Sequence, residues 1–262
     1  MSRHKYKPSV RVGNWNEELC LEEDKLKDFL LKKENGELLI QKIHSLKSNI
    51  LSKVNLSVCT DGLVHYGDTV VLVNNPTNRE CKPVCLAANI DESSASNNSV
   101  RSPCRVSGAV FKESCARNAL TVAAVGGKSN VGEPLRYGEH FMLCTTPACG
   151  ANLKLFSEPA TFTRCAKHSR HQMVTLVDEE SSFTRWKVLS FDPMWRLETE
   201  GKPVKAGENV IITHVQTNQN LAMEENGKLM TMFGLECEIS SHNYLDCHKA
   251  ELSQNHWLFL TG

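Results

Sequence analysis

The chain has 262 residues with 30 basic and 30 acidic side chains, so no global field favours nucleic acid or an anionic membrane. Hydrophobic residues at 40% and charged residues at 23% fit an ordinary soluble globular protein, one large domain or a domain with an appendage. No apolar run approaches the roughly 18–20 residues of a spanning helix, and the opening MSRHKYKPSV carries charge without the apolar stretch of a secretory signal. Eleven cysteines without a short-range framework are expected to be free thiols, and the expected setting is the cytoplasm.

Residues 1–20 read as irregular and polar, with Pro8, Gly13 and the run GNWNEE around Trp15. From Leu21 the pattern predicts a helix in which Leu26, Phe29 and Leu30 share a face and Gly36 lies just past the end. A second helix is expected over residues 37–52, where Leu39, Ile43, Leu46 and Ile50 form one apolar stripe that packs on the protein's own domain. Residues 1–55 are thus expected to form a partly helical arm, with eleven Lys or Arg against eight Asp or Glu. That surplus is screened over about 8 Å at physiological salt, so it orients without specifying. The expected anchor for a partner is Trp15, the arm's one tryptophan, flanked by Asn14 and Asn16.

Beyond residue 55 one stretch occurs three times: GLVHYGDTVVLVN (62–74), GEPLRYGEHFMLC (132–144) and GKPVKAGENVIITH (201–214). Gly67, Gly138 and Gly207 lie 71 and 69 residues apart, each followed by a carboxylate: Asp68, Glu139 and Glu208. Val70, Phe141 and Val210, then Leu72, Leu143 and Ile212, recur with the period of a strand and predict two shared core layers. The glycines suit turns at positive φ. Residues 74–103 read as a polar loop excursion, and each copy closes on an apolar run that aligns Ala119, Trp186 and Trp257. Three copies of about 70 residues, over 56–125, 126–191 and 192–262, allow four strands each. The expected fold is therefore all-β, a β-trefoil spanning residues 56–262.

Gly207, Glu208, His214, Thr217, Asn218 and Leu221 resemble the signature stretch of MIR-type β-trefoils. Over its whole length the chain is similar to the family of cilia- and flagella-associated protein 161. The carriers are VRVGNWNEELCLEE (10–23), GELLIQKIHSLKSNIL (36–51), LSVCTDGLVHYGD (56–68), FGLECEISSHNYLDCHK (233–249) and NHWLFLTG (255–262). Residues 79–118 are not matched. The resemblance implies a non-enzymatic, structural microtubule inner protein in the cilium or flagellum axoneme. It would bind tubulin and neighbouring inner proteins in the A-tubule of doublet microtubules and support motility. The alternative is a cytosolic MIR-like trefoil that binds a glycan or small ligand.

No catalytic, metal or cofactor residue is expected. Gly127-Lys128-Ser129 lacks the first glycine of a phosphate loop, because Val122 stands there. His168 and His171 with Cys165 are two imidazoles and a thiol in a basic loop, and neither Cys81/Cys85 nor Cys144/Cys149 has Cys-x-x-Cys spacing. Asp246, Cys247 and His248 are sequence neighbours whose side chains would face opposite ways on a strand.

Overall fold

The computed structural model describes residues 11–74, 82–91, 94, 100–127 and 130–262, with residues 11–16 and 127 described by backbone alone. Helix α1 (Arg11–Glu34) begins well before the expected Leu21 and runs through Gly13. Val12, Trp15 and Leu19 continue its apolar row upstream. A single interior glycine costs only about 1 kcal/mol of helix propensity. The helix stops where expected. Gly36 takes φ 72°, Glu37 N–H donates to Lys32 O at 2.8 Å and Gly36 N–H to Lys33 O at 3.3 Å, a Schellman closure.

Helix α2 (Leu39–Ile50) buries Leu46 and Ile50 in the main core, and Ile43 packs against it. Its exit is tied down by Arg117 N–H to Ile50 O and Ala116 N–H to Ser52 O. The stripe of α2 thus packs on the β domain as its spacing predicts, and within the expected arm over 1–55 the described side chains that are all exposed are those of residues 17–34.

Twelve strands are described, all paired antiparallel. The first copy holds β1 (Thr69–Asn74), β2 (Val84–Asn89), β3 (Cys104–Val110) and β4 (Ala119–Ala124). The second holds β5 (His140–Thr145), β6 (Lys154–Ser157), β7 (Gln172–Val177) and β8 (Trp186–Ser190). After a short helix α3 (Arg196–Thr199) come β9 (Asn209–His214), β10 (Leu221–Thr231), β11 (Gly234–Ser241) and β12 (His256–Leu260). Within each copy the outer strands pair: β1 with β4, β5 with β8, β9 with β12. Between copies β4 pairs with β5, β8 with β9 and β12 with β1, so six strands close into a barrel. The hairpins β2–β3, β6–β7 and β10–β11 meet one another through β3, β7 and β11 and cap one end.

The other end is closed by the repeated turns. All six repeat glycines sit at φ between 73° and 94°, where a Cβ would be strained. They steer three backbones into a ring: Val64 N–H donates to Val204 O, Val204 N–H to Leu135 O and Leu135 N–H to Val64 O, at 3.0, 2.8 and 2.8 Å. All three residues are fully buried. Gly67, Gly138 and Gly207 each donate to the closing strand of their own copy, at Val122, Val188 and Phe259.

Inside the barrel, Val70, Phe141 and Val210 form one buried layer with their cross-strand partners Leu120, Trp186 and Trp257. Leu72, Leu143 and Ile212 form the next with Phe259, Val122 and Val188. Leu120, not Ala119, thus holds the tryptophan position in the first copy. The expected alignment was one residue out. Each buried indole keeps its N–H satisfied, Trp186 on Leu155 O and Trp257 on Leu221 O, both at 2.9 Å.

The expected loop over 74–103 is also corrected, since Val84–Asn89 is a buried strand. The stretch 79–118 supplies Arg117, whose guanidinium pairs with buried Glu236 at 2.6 and 2.7 Å and lies 3.8 Å under the Phe233 ring. Ser107 Oγ–H donates to the same carboxylate. This joins the first copy to the third. Replacing Trp186 or Trp257 by Ala is expected to cost about 3–5 kcal/mol in urea unfolding, and losses below about 1 kcal/mol contradict the shared core layer.

Candidate functional site

Helix α1 presents every described side chain to solvent, from Glu17 to its end. Leu26 is 60% exposed and Phe29 48%, although both belong to the expected apolar face. Leu19, Leu26 and Phe29 fall at spacings of 7 and 3, so they follow one side of the helix. Residues 11–34 carry five basic and seven acidic side chains, so the arm's basic surplus does not reside on this helix. The side chains of Asn14, Trp15 and Asn16, the expected anchor, lie outside the described part of the structure.

A second exposed surface was not anticipated. Between the second and third copies, a turn at Pro193–Trp195 and α3 hold out Met194, Trp195 and Leu197, which are 85%, 53% and 88% exposed. The turn is rigidly built: Asp192 accepts Met194 N–H at 2.9 Å, and Arg196 pairs with Glu251 of the third copy at 2.6 Å. The run DPMWRLE placed three large apolar residues in a polar linker, which was the available signal.

The signature residues turn out to be structural. His214 is fully buried, with Nδ1 against Thr217 Oγ1 at 2.8 Å and Nε2 against Phe183 O at 3.0 Å. A neutral imidazole satisfies both contacts, donating from Nε2 to the carbonyl and accepting at Nδ1 from the hydroxyl. Asn218 takes φ 53° to close the turn and donates its N–H to His214 O, and Leu221 O accepts the Trp257 indole. The turn carboxylates are likewise engaged: Asp68 accepts His65 N–H at 2.7 Å and Glu208 meets Lys205 at 3.0 Å.

His168 and His171 do not lie in a merely solvated loop. The N–H groups of His168 and Ser169 donate to Glu238. Burial alone would raise that carboxyl, but these backbone donors outweigh it and hold it below its ordinary range. His171 Nδ1 meets Glu224 at 2.9 Å, and its ring stacks on His242 at 3.8 Å. Glu224 also accepts from Ser240 and Tyr244. Asp246 accepts the N–H groups of His248 and Ala250, so that acid shapes a turn. Lys128 and Ser129 lie outside the described residues. The described cysteines are all free thiols, and burial pushes several of them up, Cys85 and Cys149 to about 11. No described helix is long and apolar enough to cross a membrane.

A family model described as the cilia- and flagella-associated protein 161-like domain matches residues 42–262. The chain belongs to this family. Its similarity to cilia- and flagella-associated protein 161 of Danio rerio is 44% identity over 98% of this chain and 88% of the relative. To the Bos taurus protein of that name it is 40% identity over 100% of this chain and 84% of the relative. Among solved structures the chain is similar to an SDF2-like protein from Arabidopsis thaliana, with TM-score 0.55 and 16% identity over 75% of this chain and 94% of that one. That likeness concerns the fold alone. The family match starts inside α2, so α1 stands outside it although the full-length relatives span it.

One buried and two partly buried histidines give the domain an expected pH dependence. Burial lowers His214, His242 and His256 from the ordinary 6.5, with His171 adding to the effect on His242. A lowered folded pKa means the unfolded chain binds protons first, so stability is present above about pH 6.5 and is lost as pH falls below it. The melting midpoint is expected to drop between about pH 7 and pH 5, with the His214 imidazole titrating below a free histidine by NMR. A midpoint that holds or rises over that range contradicts this.

Proposed function

We propose that this chain is a structural microtubule inner protein of the axoneme and that its domain is a MIR-like β-trefoil. In this reading it binds tubulin and neighbouring inner proteins inside the A-tubule of doublet microtubules, performs no catalysis, and supports ciliary or flagellar motility. Family membership supports the ciliary setting. The observation that carries the partner reading is α1, a 24-residue helix whose described side chains are all exposed beside a barrel that closes without it. A helix that buries none of its described apolar side chains gains little in water, so a partner groove is its natural complement. Met194, Trp195 and Leu197 offer a second contact on the barrel itself.

The glycan-binding alternative is the weaker reading. Of the signature residues, His214 and Thr217 spend their ring nitrogens and hydroxyl within the fold, on each other, on Phe183 O and on Gln172.

The test is a double variant, Leu26→Glu with Phe29→Glu, expressed as the full chain in ciliated cells. Losing two anchors of about 1–2 kcal/mol each is expected to cut axonemal incorporation by ten-fold or more, with the melting midpoint unchanged. Trp15→Ala is expected to weaken incorporation in the same way. In isolated axonemes, crosslinks from Lys25, Lys27, Lys32 or Lys33 should reach tubulin. Normal incorporation of the double variant, or crosslinks that avoid tubulin, would contradict the proposal.

A further inference from the structure

Just ahead of β1, three different ligand types converge. Cys59, His65 and Asp68 are half-buried, and one ligand atom from each lies within 4.8 Å of the others. Cys59 Sγ stands 3.4 Å from Asp68 Oδ2, and His65 Nδ1 stands 3.5 Å from the same oxygen. Tetrahedral zinc, with bonds of about 2.0–2.2 Å to N and O and about 2.3 Å to S, sets its ligand atoms about 3.3–3.6 Å apart. A direct hydrogen bond between the imidazole and the carboxylate would instead close to about 2.7–3.2 Å. The far nitrogen, His65 Nε2, meets Asp61 Oδ2 at 3.1 Å. A carboxylate on the second nitrogen is the usual way to orient a metal-binding imidazole and fix its tautomer.

Comparison of the three copies isolates what is special here. Arg136 and Lys205 stand where the first copy has His65, and Glu139 and Glu208 where it has Asp68. In the third copy these positions make an exposed ion pair at 3.0 Å. The first copy has exchanged the permanent cation for an imidazole and brought in Cys59 and Asp61. It therefore gathers two carboxylates, a thiol and an imidazole without the cation that balances the other copy.

We propose that Cys59, His65 and Asp68 form a zinc site, with Asp61 as the positioning residue on His65 and water in the fourth position. On binding, the thiol proton now donated to Asp68 leaves to solvent, the thiolate sulfur takes the metal, and His65 binds through Nδ1 as the neutral imidazole that metal ligation requires. Sulfur with imidazole favours zinc over magnesium or calcium. The ion would tie the segment leaving α2 to the first turn of the barrel, where Ser57 O already accepts the Gly262 N–H. The sequence signal was Cys-x-Asp-x3-His-x2-Asp within ten residues, against plain turns in the other copies.

The test uses the reduced, purified full chain with Co2+ and then Zn2+ as probes. One equivalent of Co2+ is expected to give tetrahedral absorption with a thiolate charge-transfer band that Zn2+ abolishes. Cys59→Ser and His65→Gln should each remove the band, while Cys165→Ser and Cys247→Ser keep it. His65→Gln retains the thiol and serves if Cys59→Ser fails to fold. Asp61→Asn should keep the band with affinity weakened about 10–100-fold. Absence of a band, or a band that survives Cys59→Ser or His65→Gln, overturns the site. An unchanged affinity in Asp61→Asn contradicts the positioning role.

Discussion

Three backbone hydrogen bonds among Val64, Leu135 and Val204 hold the architecture on its axis. Each residue donates to one copy and accepts from the other, so no copy can be removed without orphaning a buried N–H and a buried carbonyl. The repeat glycines exist to aim these strands, and the two core layers above follow from the register they impose. Closure removes free edges from the six barrel strands, which is how an all-antiparallel protein avoids pairing with its neighbours. It also determines what is left over. A barrel complete in itself has a use for α2, whose Leu46 and Ile50 cover its core, and none for α1.

Much of this was legible because it repeats. Gly67, Gly138 and Gly207 with their period-two apolar rows located the strands, and every member of the two expected layers is buried. The register slip at Ala119 came from matching run to run. Matching alternation instead aligns Leu120 and Val122 with Trp186 and Val188, and the structure shows that equivalence: Leu120 lies opposite Val70 as Trp186 lies opposite Phe141, and Val122 opposite Leu143 as Val188 opposite Ile212. The start of α1 was missed because Gly13 reads as a breaker, whereas the helix tolerates it. What the sequence hid are contacts between unlike positions of different copies. Arg117 finds Glu236 across the cap, and His171 finds Glu224 and His242, far apart in the chain and in no shared pattern. The exposed Trp195 was legible only as part of DPMWRLE, three large apolar residues in a polar linker, and its exposure follows from the turn that holds it out.

Charge and apolar surface divide the work of recognition. With no net charge on the chain and more acid than base on α1, attraction at a distance contributes little and contact must be made at close range. The exposed apolar row of α1 and the knob at Met194, Trp195 and Leu197 have the character of such contact surfaces. They occupy separate elements, one hung beyond Gly36 and one clamped to the third copy by the Arg196–Glu251 pair. A protein with two such surfaces can bridge neighbours, which suits a structural part better than a transient binder.

Amide hydrogen exchange on the isolated protein tests most directly the division between a self-closed barrel and a helix kept for partners. The amides of Val64, Leu135 and Val204 are expected to exchange only with global unfolding, among the slowest in the chain. Those of residues 17–34 are expected to exchange orders of magnitude faster, and to become protected in the axoneme. Equal protection of α1 in the isolated protein, or ring amides that exchange as fast as the loops, would contradict the account.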